Sequence, residues 1–432
     1  MKLADYSAKL KERLLYLLIF LLPVQLGRHF FFDFTRIAGI TSDYLAPVIY
    51  LTDIVIFILI FLDLRDIFTI KRKKISRLNQ KKGGTVILFF LYLILSVMLV
   101  SANKWASFYK LLKVGEFFWL FKIIIDLKAK FLPILTVYCL SVVYTSYLAI
   151  NQFMWQKSSG GIWWSLGERS FYASTPGIAL GSFGGRLFLR PYATFAHPNI
   201  LGGFLAIGLP MVFLYLWKNK EIGRLVKFIF TLAFILGTIT LILSFSRASW
   251  LVFILGLTIA MFTEVKKVKE LIYFLRKWYF FLFIFLFIIS IVLPLNLDRA
   301  RRARRGSLFE RSRLIISSLT LIGQNPITGT GLNNSVIKQY QSIPKRYGLV
   351  ILQPVHNVYL LVLTELGFIG FIFLLIFLKR SFEKIDRENI HLFFPFLMLI
   401  ILGFFDHYLV TLQQGQLLAV LFTGLVFWPQ KA

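Results

Sequence analysis

Long apolar runs bounded by charged residues are the dominant feature of this sequence. A hydrocarbon core about 30 Å thick needs about 20 apolar residues in helical conformation. Hydrophobic residues make up 58% of the 432-residue chain and charged residues only 16%, which is too apolar for a soluble fold of this length. We therefore predict an all-α fold, a polytopic transmembrane helix bundle of about twelve spans. The runs lie near residues 14–27, 44–62, 85–100, 106–125, 131–153, 197–217, 226–244, 248–262, 278–294, 356–378, 390–409 and 412–428.

The basic residues predict the orientation of the bundle. In a soluble protein a formal charge of +29 would indicate nucleic acid, but in a membrane protein basic cytoplasmic loops account for it. With the N-terminus in the cytoplasm, the compact basic loops fall on that side, at residues 65–82, 218–227, 266–277 and 379–387. We expect a multi-pass protein of the cytoplasmic (inner) membrane with both termini cytoplasmic and no nucleic-acid partner. The first span resembles a signal peptide but lacks a small-residue cleavage site after it, so we expect it to be retained.

Two long connections, at residues 154–196 and 295–355, are predicted on the extracytoplasmic side. The second is rich in arginine although it lies outside, and this enrichment suggests an anionic partner there. Its arginines are Arg299, Arg301, Arg302, Arg304, Arg305, Arg311 and Arg313. We find no convincing internal repeat, so residues 1–432 are interpreted as a single integral membrane domain.

Several classes of chemistry are excluded by missing motifs. Cys139 is the only cysteine, so there is no intramolecular disulfide and no cysteine-based metal or redox site. The chain also lacks an HExxH motif, a nucleophile elbow and a Walker loop. The commoner hydrolases and ATP-driven pumps are therefore excluded.

The string RPYATFAHPN places Arg190, His197 and Asn199 at the predicted outer mouth of the sixth span. Pro198 suits the first turn of a helix. Arg190 is a candidate phosphate ligand, and an interfacial anchor is the alternative. For His197 alone we favour a helix cap or a solvated group.

A second string, SFSRASW at 244–250, forms a predicted polar hairpin between two spans, with Arg247 as its only charge. An arginine in such a short turn needs an anionic partner or carbonyl groups, unless it extends to the lipid headgroups. Further along, Arg313 to Ile322 is amphipathic enough for a helix along the membrane surface. The following NPITGTG predicts a loop, and its glycines are interpreted as turn geometry.

His356 and Asn357 open the tenth predicted span. Histidine is the side chain best suited to accept a proton near neutral pH, so His356 is our candidate general base, with a helix cap as the alternative. Glu365 falls on the opposite helix face, which argues against a direct dyad with His356. Gly367 and Gly370 are expected to allow close helix packing.

Five polar residues within the predicted spans are costly in lipid and should face protein or water: Asp53, Lys113, Glu116, Asp406 and His407. Lys113 and Glu116 are three residues apart and can neutralise one another. Asp406 and His407 lie at the predicted depth of His356. They are candidates for supporting residues around it, although structural pairing is favoured.

These strings, in this order over residues 185–375, resemble the O-antigen ligase and polymerase superfamily of bacterial membrane glycosyltransferases. The resemblance implies transfer of an oligosaccharide from a polyprenyl (undecaprenyl) diphosphate carrier to an acceptor at the outer face of the cytoplasmic membrane. It implies no nucleotide sugar, no cofactor and no metal. His356 matches the essential histidine of the family, and Arg190, Arg247 and Arg313 match its arginines.

On this resemblance we expect His356, Arg190 and Arg313 to be catalytic, and Arg247, Arg311 and Asn357 to bind the diphosphate. His197, Asn199, Asp406 and His407 are expected to support them. The acceptor stays open between a lipopolysaccharide core, a glycan repeat unit and a protein hydroxyl. The other expected contacts are membrane lipids. A transporter or flippase of lipid-linked glycans is the main rival, and superposable halves with Asp53 and Glu116 lining a central cavity would favour it.

Overall fold

The computed structural model describes residues 2–69, 80–219, 221–262, 268–301, 307–342, 352–384 and 390–428. The described chain is mostly helical, as the apolar runs predict. Its α-helices are α1 (Lys2–Phe20), α2 (Leu51–Thr69), α3 (Gln80–Leu95), α4 (Lys104–Leu127), α5 (Phe131–Trp155), α6 (Pro198–Lys218), α7 (Arg224–Leu243), α8 (Arg247–Phe262), α9 (Val268–Arg301), α10 (Ser307–Gln324), α11 (Ser335–Ser342), α12 (Val358–Glu383), α13 (Ile390–Gly403), α14 (Tyr408–Thr411) and α15 (Gln413–Val426).

Short antiparallel strand pairs lie in the connections after α1 and after α5. The first connection holds β1 (Gly27–His29), β2 (Arg36–Ile37), β3 (Ile40–Thr41) and β4 (Val48–Tyr50), and the second holds β5 (Leu180–Phe183) and β6 (Arg186–Leu189). The pairs are β1 with β4, β2 with β3, and β5 with β6. Hydropathy did not predict these strands, because segments of two to four residues are too short to show an alternating pattern.

Within the described residues, six helices are long and apolar enough to cross a membrane, so the protein is a multi-pass membrane protein. They are Gly83–Val100, Phe131–Trp155, Pro198–Lys218, Arg224–Leu243, Lys277–Asp298 and Val358–Glu383. Two shorter apolar helices, Arg247–Met261 and Leu392–Gly403, accompany them. Helices α2 and α4 carry several charged residues, which separates them from this set. The predicted number of about twelve spans and the sidedness of the loops stay predictions.

Helix α6 lies at the centre of the bundle. In it 78% of the most apolar stretch is buried, compared with 6% for the equivalent stretch of α9. Helix α6 packs against α5, α7, α8 and α13. Helix α9 therefore has a largely unpacked apolar surface, which suits contact with lipid.

The predicted loop at 295–355 is partly helical. Helix α9 continues to Arg301 and α10 begins at Ser307, so α10 includes the helix predicted for Arg313 to Ile322. Arg302, Arg304 and Arg305 lie outside the described residues, as do the side chains of Arg299 and Arg301 and most of the basic loop at 65–82.

The NPITGTG segment docks its backbone against a break in α12. Gly367 there has a φ of +59°, in the left-handed region that favours glycine. A Cβ on Gly367 would lie 2.2 Å from the carbonyl oxygen of Ile327. Backbone N–H groups of Thr330 and Phe368 donate across this contact to the carbonyls of Thr364 and Pro326, each at 2.9 Å. The close approach expected at Gly367 is thus to a loop and not to another helix, and it fixes the segment after α10 against α12.

A second close contact joins α6 to the segment after α13. A Cβ on Gly203 would lie 1.9 Å from the hydroxyl oxygen of Tyr408. Tyr408 is buried and directly follows His407. Only a residue without a side chain leaves room for this tyrosine.

We predict that Gly203→Ala destabilises the protein by about 1–3 kcal/mol, the usual cost of overpacking a core. The measurement is thermal unfolding in detergent. Gly115→Ala on α4 is the control, because a Cβ there meets nothing within 4 Å, and it should be neutral or stabilising by about 0.5–1 kcal/mol. Equal melting temperatures for both variants would contradict the predicted contact.

Candidate functional site

Three polar segments meet where α6 and α12 begin and where α13 ends. His356 Nδ1 lies 3.1 Å from Asp406 Oδ1. The other carboxylate oxygen, Oδ2, accepts from Asn199 Nδ2 at 3.2 Å. Asn199 Oδ1 in turn accepts from Arg190 Nη2 at 2.6 Å. One hydrogen-bonded chain therefore joins Arg190, Asn199, Asp406 and His356, four residues predicted for the site.

The His356–Asp406 pair has the geometry of an oriented base. If Nδ1 carries the hydrogen and donates to Asp406, the lone pair of Nε2 is free to accept a proton. The His356 side chain is 23% exposed, whereas that of Asp406 is 8% exposed. Burial raises the pKa of the Asp406 carboxyl, but His356, His407 and Arg311 together lower it below its usual value. Asp406 is therefore an anion that can hold the imidazole in one orientation.

Arg190 is anchored by the polar hairpin and by Asn199. Its Nε donates to the carbonyl of Ser244 at 2.7 Å. Burial lowers the pKa of Arg190 to about 10, and the nearby charges of Arg247 and Arg311 act in the same direction. Arg190 still carries its full charge at neutral pH, so these arginines repel one another unless an anion lies between them.

Arg247 and Arg311 complete this group of arginines. Arg247 is the exposed first residue of α8. Arg311 Nη1 donates to the carbonyl of Phe405, next to Asp406, at 3.1 Å. Arg190 and Arg311 interact electrostatically with Asp406, and Arg247 interacts with Arg190, so three positive charges lie near one negative charge. The excess of positive charge suits binding of an anion.

Arg313 occupies a different face of α10 from Arg311. Two residues along a helix correspond to a rotation of about 200°. The Arg313 guanidinium lies over the ring of Phe309, 5.9 Å from its centroid. The expected catalytic role of Arg313 stays a prediction, and Arg311 is the arginine of α10 whose charge acts on Asp406.

Two of the predicted site residues are helix caps. His197 Nδ1 accepts from the N–H of Asn199 at 3.1 Å, so the cap interpretation of His197 is confirmed. Asn357 Oδ1 accepts from the N–H groups of Tyr359 and Leu360 at 3.0 and 2.9 Å. Asn357 Nδ2 donates to Ser290 Oγ at 2.8 Å.

The cap gives Asn357 a structural role, and its expected diphosphate-binding role stays a prediction. The residue is buried, and both polar atoms of its side chain already have partners. Its role in this structure is to fix the helix start that carries His356.

His407 lies beside the pair. Its ring centroid is 5.0 Å from that of His356, and its Nδ1 lies 2.7 Å from Thr411 Oγ1. Burial, then the charge of His356, lowers the pKa of His407 to about 3, so it is neutral at physiological pH. The supporting role expected of His407 stays a prediction, and the structure shows its ring next to that of His356.

His356, Asp406 and His407 each offer an atom that could bind a metal, all within 4.8 Å of one another. However, one nitrogen of His407 is already engaged with Thr411, and the charge of Arg311 acts on both Asp406 and His407. A positive field disfavours a cation. We therefore interpret the cluster as a hydrogen-bonded base.

Sequence reasoning missed residues that support the site from distant segments. Arg169 Nη2 donates to the carbonyl of Ala196 at 2.7 Å, next to His197. Tyr44 packs its ring on His407, with centroids 5.6 Å apart. Gln152 Oε1 accepts from the N–H groups of Tyr192 and Ala193, at 2.9 and 2.7 Å. Arg169, Tyr44 and Gln152 lie outside the quoted strings, and only the folded chain brings them to the site.

Residues 232–375 match a family model described as O-Antigen ligase. The matched region is a third of the chain and includes Arg247, Arg311 and His356. A search of curated proteins found no match. The similarity to the O-antigen ligase superfamily predicted from the sequence strings is confirmed over this region. The match points to a membrane glycosyltransferase of the ligase or polymerase kind.

We predict that Asn357→Ala lowers stability by about 0.5–2 kcal/mol, as loss of a helix N-cap does. The measurement is the melting temperature in detergent. Asn219→Ala is the control, because Asn219 is exposed at the C-terminal end of α6. This change should alter stability by less than about 0.5 kcal/mol. If Asn357 bound the diphosphate instead, its replacement would weaken donor binding and leave the melting temperature unchanged.

Proposed function

We propose that the protein transfers an oligosaccharide from a polyprenyl diphosphate carrier to an acceptor hydroxyl at the outer face of the cytoplasmic membrane. The observation that carries this proposal is the chain of hydrogen bonds from Arg190 through Asn199 and Asp406 to His356. It supports the proposal because it connects the histidine that we assign as the base to an arginine that we assign to the diphosphate. The family match supports the same class of activity.

The arginines suit a diphosphate leaving group. A glycosyl diphosphate already has a good leaving group, so the enzyme has only to orient the acceptor and stabilise the departing charge. Guanidinium groups offer paired donors that match phosphate oxygens and stay charged. We assign this role to Arg190, Arg247 and Arg311, with Arg313 as a further predicted ligand.

His356 acts as the base in this proposal. The acceptor hydroxyl gives its proton to Nε2 while its oxygen bonds to the anomeric carbon. The bond from that carbon to the phosphate oxygen breaks, and the diphosphate keeps the electron pair. Asp406 stabilises the resulting imidazolium. A single in-line displacement of this kind inverts the anomeric centre.

Helix α9 provides a route for a lipid-linked donor. It has a largely unburied apolar surface and contacts the start of α12 through Ser290 and Asn357. A carrier in the bilayer can therefore approach His356 along α9 with its lipid tail in the membrane. This arrangement supports a lipid-bound donor over a soluble one.

The acceptor decides between related activities. Ligation to lipopolysaccharide core, polymerisation of repeat units and transfer to a protein hydroxyl need the same base and the same diphosphate ligands. If the protein were instead a transporter of lipid-linked glycans, Asp53 and Glu116 would be expected to line a central cavity. Both carboxyls are instead buried and bonded to Lys113, which favours a transferase.

We predict that His356→Ala and Asp406→Asn each reduce transfer by about 10²–10⁴-fold, the contribution of a positioned general base. Purified protein would be incubated with a polyprenyl-diphosphate oligosaccharide and a panel of acceptors, without metal or nucleotide. His29→Ala is the control and should keep wild-type activity, because His29 lies in β1, away from this chain of hydrogen bonds. Retained transfer in His356→Ala would contradict the base assignment. Movement of the glycan lipid across vesicles without any product would support the transporter.

We predict that Arg190→Lys raises the KM for the donor about 10-fold, which corresponds to about 1.4 kcal/mol. A lysine cannot bridge Ser244 and Asn199 while presenting a planar donor pair to phosphate. Inhibition by inorganic pyrophosphate should weaken in parallel. Arg186→Lys, on exposed β6, is the matched control and should change neither value. An unchanged donor KM in Arg190→Lys would exclude its contact with the diphosphate.

A further inference from the structure

A second polar cluster lies within the helix bundle, on α2, α4 and α15. It consists of Asp53 in the first turn of α2, Lys113 and Glu116 on α4, and Gln413 at the start of α15. All four residues are more than nine-tenths buried. The proposed transfer reaction uses none of them.

Lys113 links the two carboxyl groups. Its Nζ donates to Asp53 Oδ1 at 2.8 Å and to Glu116 Oε2 at 2.9 Å. Asp53 Oδ2 accepts from the N–H of Tyr50 at 3.0 Å, and Asp53 Oδ1 also accepts from Gln413 Nε2. Asp53 is therefore fully satisfied as a carboxylate.

Two oxygens of the cluster have no hydrogen-bond partner among the described residues. They are Glu116 Oε1 and Gln413 Oε1. A buried acceptor without a donor is costly, and the cost is greatest when the group is charged. The cluster therefore lacks at least one donor.

The charges of the cluster do not balance. Lys113 faces two carboxylates, so one negative charge is left over. Charged groups near the cluster among the described residues include Lys110 and Glu365, which have opposite charges, and the exposed Asp43, which acts on Tyr50. Tyr50 and Tyr109 are neutral phenols. An uncompensated charge inside an apolar bundle is unfavourable.

Glu365 is a weaker candidate than Glu116 for a protonated carboxyl group. Its two oxygens accept from the N–H of Asn333 at 2.9 Å and from Ser335 Oγ at 2.7 Å. Glu365 is thus satisfied as an anion. Glu116 is the carboxyl of this group with an unpartnered oxygen among the described residues.

We propose that this cluster is a proton-binding site and that Glu116 carries the proton on Oε1. The proton balances the charge and turns an unpartnered acceptor into a donor. The carboxyl groups of Glu116 and Asp53 both contact Lys113 Nζ, so Asp53 is the neighbouring carboxylate that can accept from it. A single proton accounts for the charge and for the unpartnered oxygen of Glu116, whereas Gln413 Oε1 keeps no partner among the described residues.

The proton stabilises the junction that leads to the candidate site. Gln413 begins α15 and bonds to Thr52 Oγ1 at 3.0 Å as well as to Asp53. Two residues earlier, Thr411 contacts the His407 ring, and Lys110 donates to the carbonyl of Val410. Loss of the proton would leave a net negative charge against this junction. The bundle should therefore lose stability as the pH rises from the ordinary pKa of glutamate through the raised pKa of Glu116.

The test is infrared spectroscopy of the full-length protein in detergent. A protonated carboxyl gives a carbonyl stretching band that shifts in D2O, and we expect this band at neutral pH in the wild type. Glu116→Gln should lack the band. Glu310→Gln should keep it, because Glu310 is exposed on α10. A band that persists in Glu116→Gln, or a wild type without one, would overturn the proposal.

Thermal unfolding against pH gives an independent readout. Glutamine imitates a protonated glutamate, so Glu116→Gln should melt like the wild type at about pH 4, below the ordinary pKa of glutamate. It should lose less stability than the wild type as the pH rises from there to neutral and above, because only the glutamate must keep a proton that the unfolded chain releases. Lys113→Gln should melt lower than the wild type, because it leaves an acidic pair without its lysine.

A melting temperature raised by sodium chloride but not by choline chloride, and only in the wild type, would identify a sodium ion and overturn the proton assignment. Neither readout depends on the proposed transfer activity.

Discussion

A charged side chain inside an apolar bundle needs a partner, and this constraint determines how the polar parts of the structure are arranged. Asp406 meets the constraint at the candidate site, where it is bonded to His356, Asn199 and the N–H of His407. Because these partners come from α6, α12 and the segment after α13, one carboxylate holds three parts of the bundle together. The arginines around it exceed its charge, and this excess is what prepares the site for an anion.

Rigid supports around the site explain how its geometry is maintained. The cap at Asn357 sets the start of α12, and the backbone contact at Gly367 fixes the segment that follows α10. Gly203 lets Tyr408 pack against α6 beside His407. A base and its anion-binding partners must be held within fractions of an ångström to act together. The small residues and caps therefore support the geometry that the proposed chemistry requires.

Most of the candidate site could be predicted from the sequence, but not how its members connect. His356, Arg190 and Arg247 were found because polar strings between apolar runs are conspicuous. Asp406 was found only as a costly intramembrane charge, and its bond to His356 spans 50 residues of sequence. Asn357 was assigned to the diphosphate because a span-opening asparagine looks the same whether it caps a helix or binds a ligand. Arg169 and Tyr44 were missed because nothing in their local sequence marks them.

The sequence by itself determined the helical membrane class, since about 20 apolar residues between charges have no other stable conformation in a bilayer. It also determined that a histidine and several arginines lie near the ends of helices. Tertiary structure alone decided which arginine of α10 faces Asp406, which asparagine bridges to Arg190, and that Glu116 lies beside Asp53. Hydropathy records how deeply a residue can be buried, whereas a hydrogen bond depends on helix rotation and packing. Those are set by the whole bundle at once.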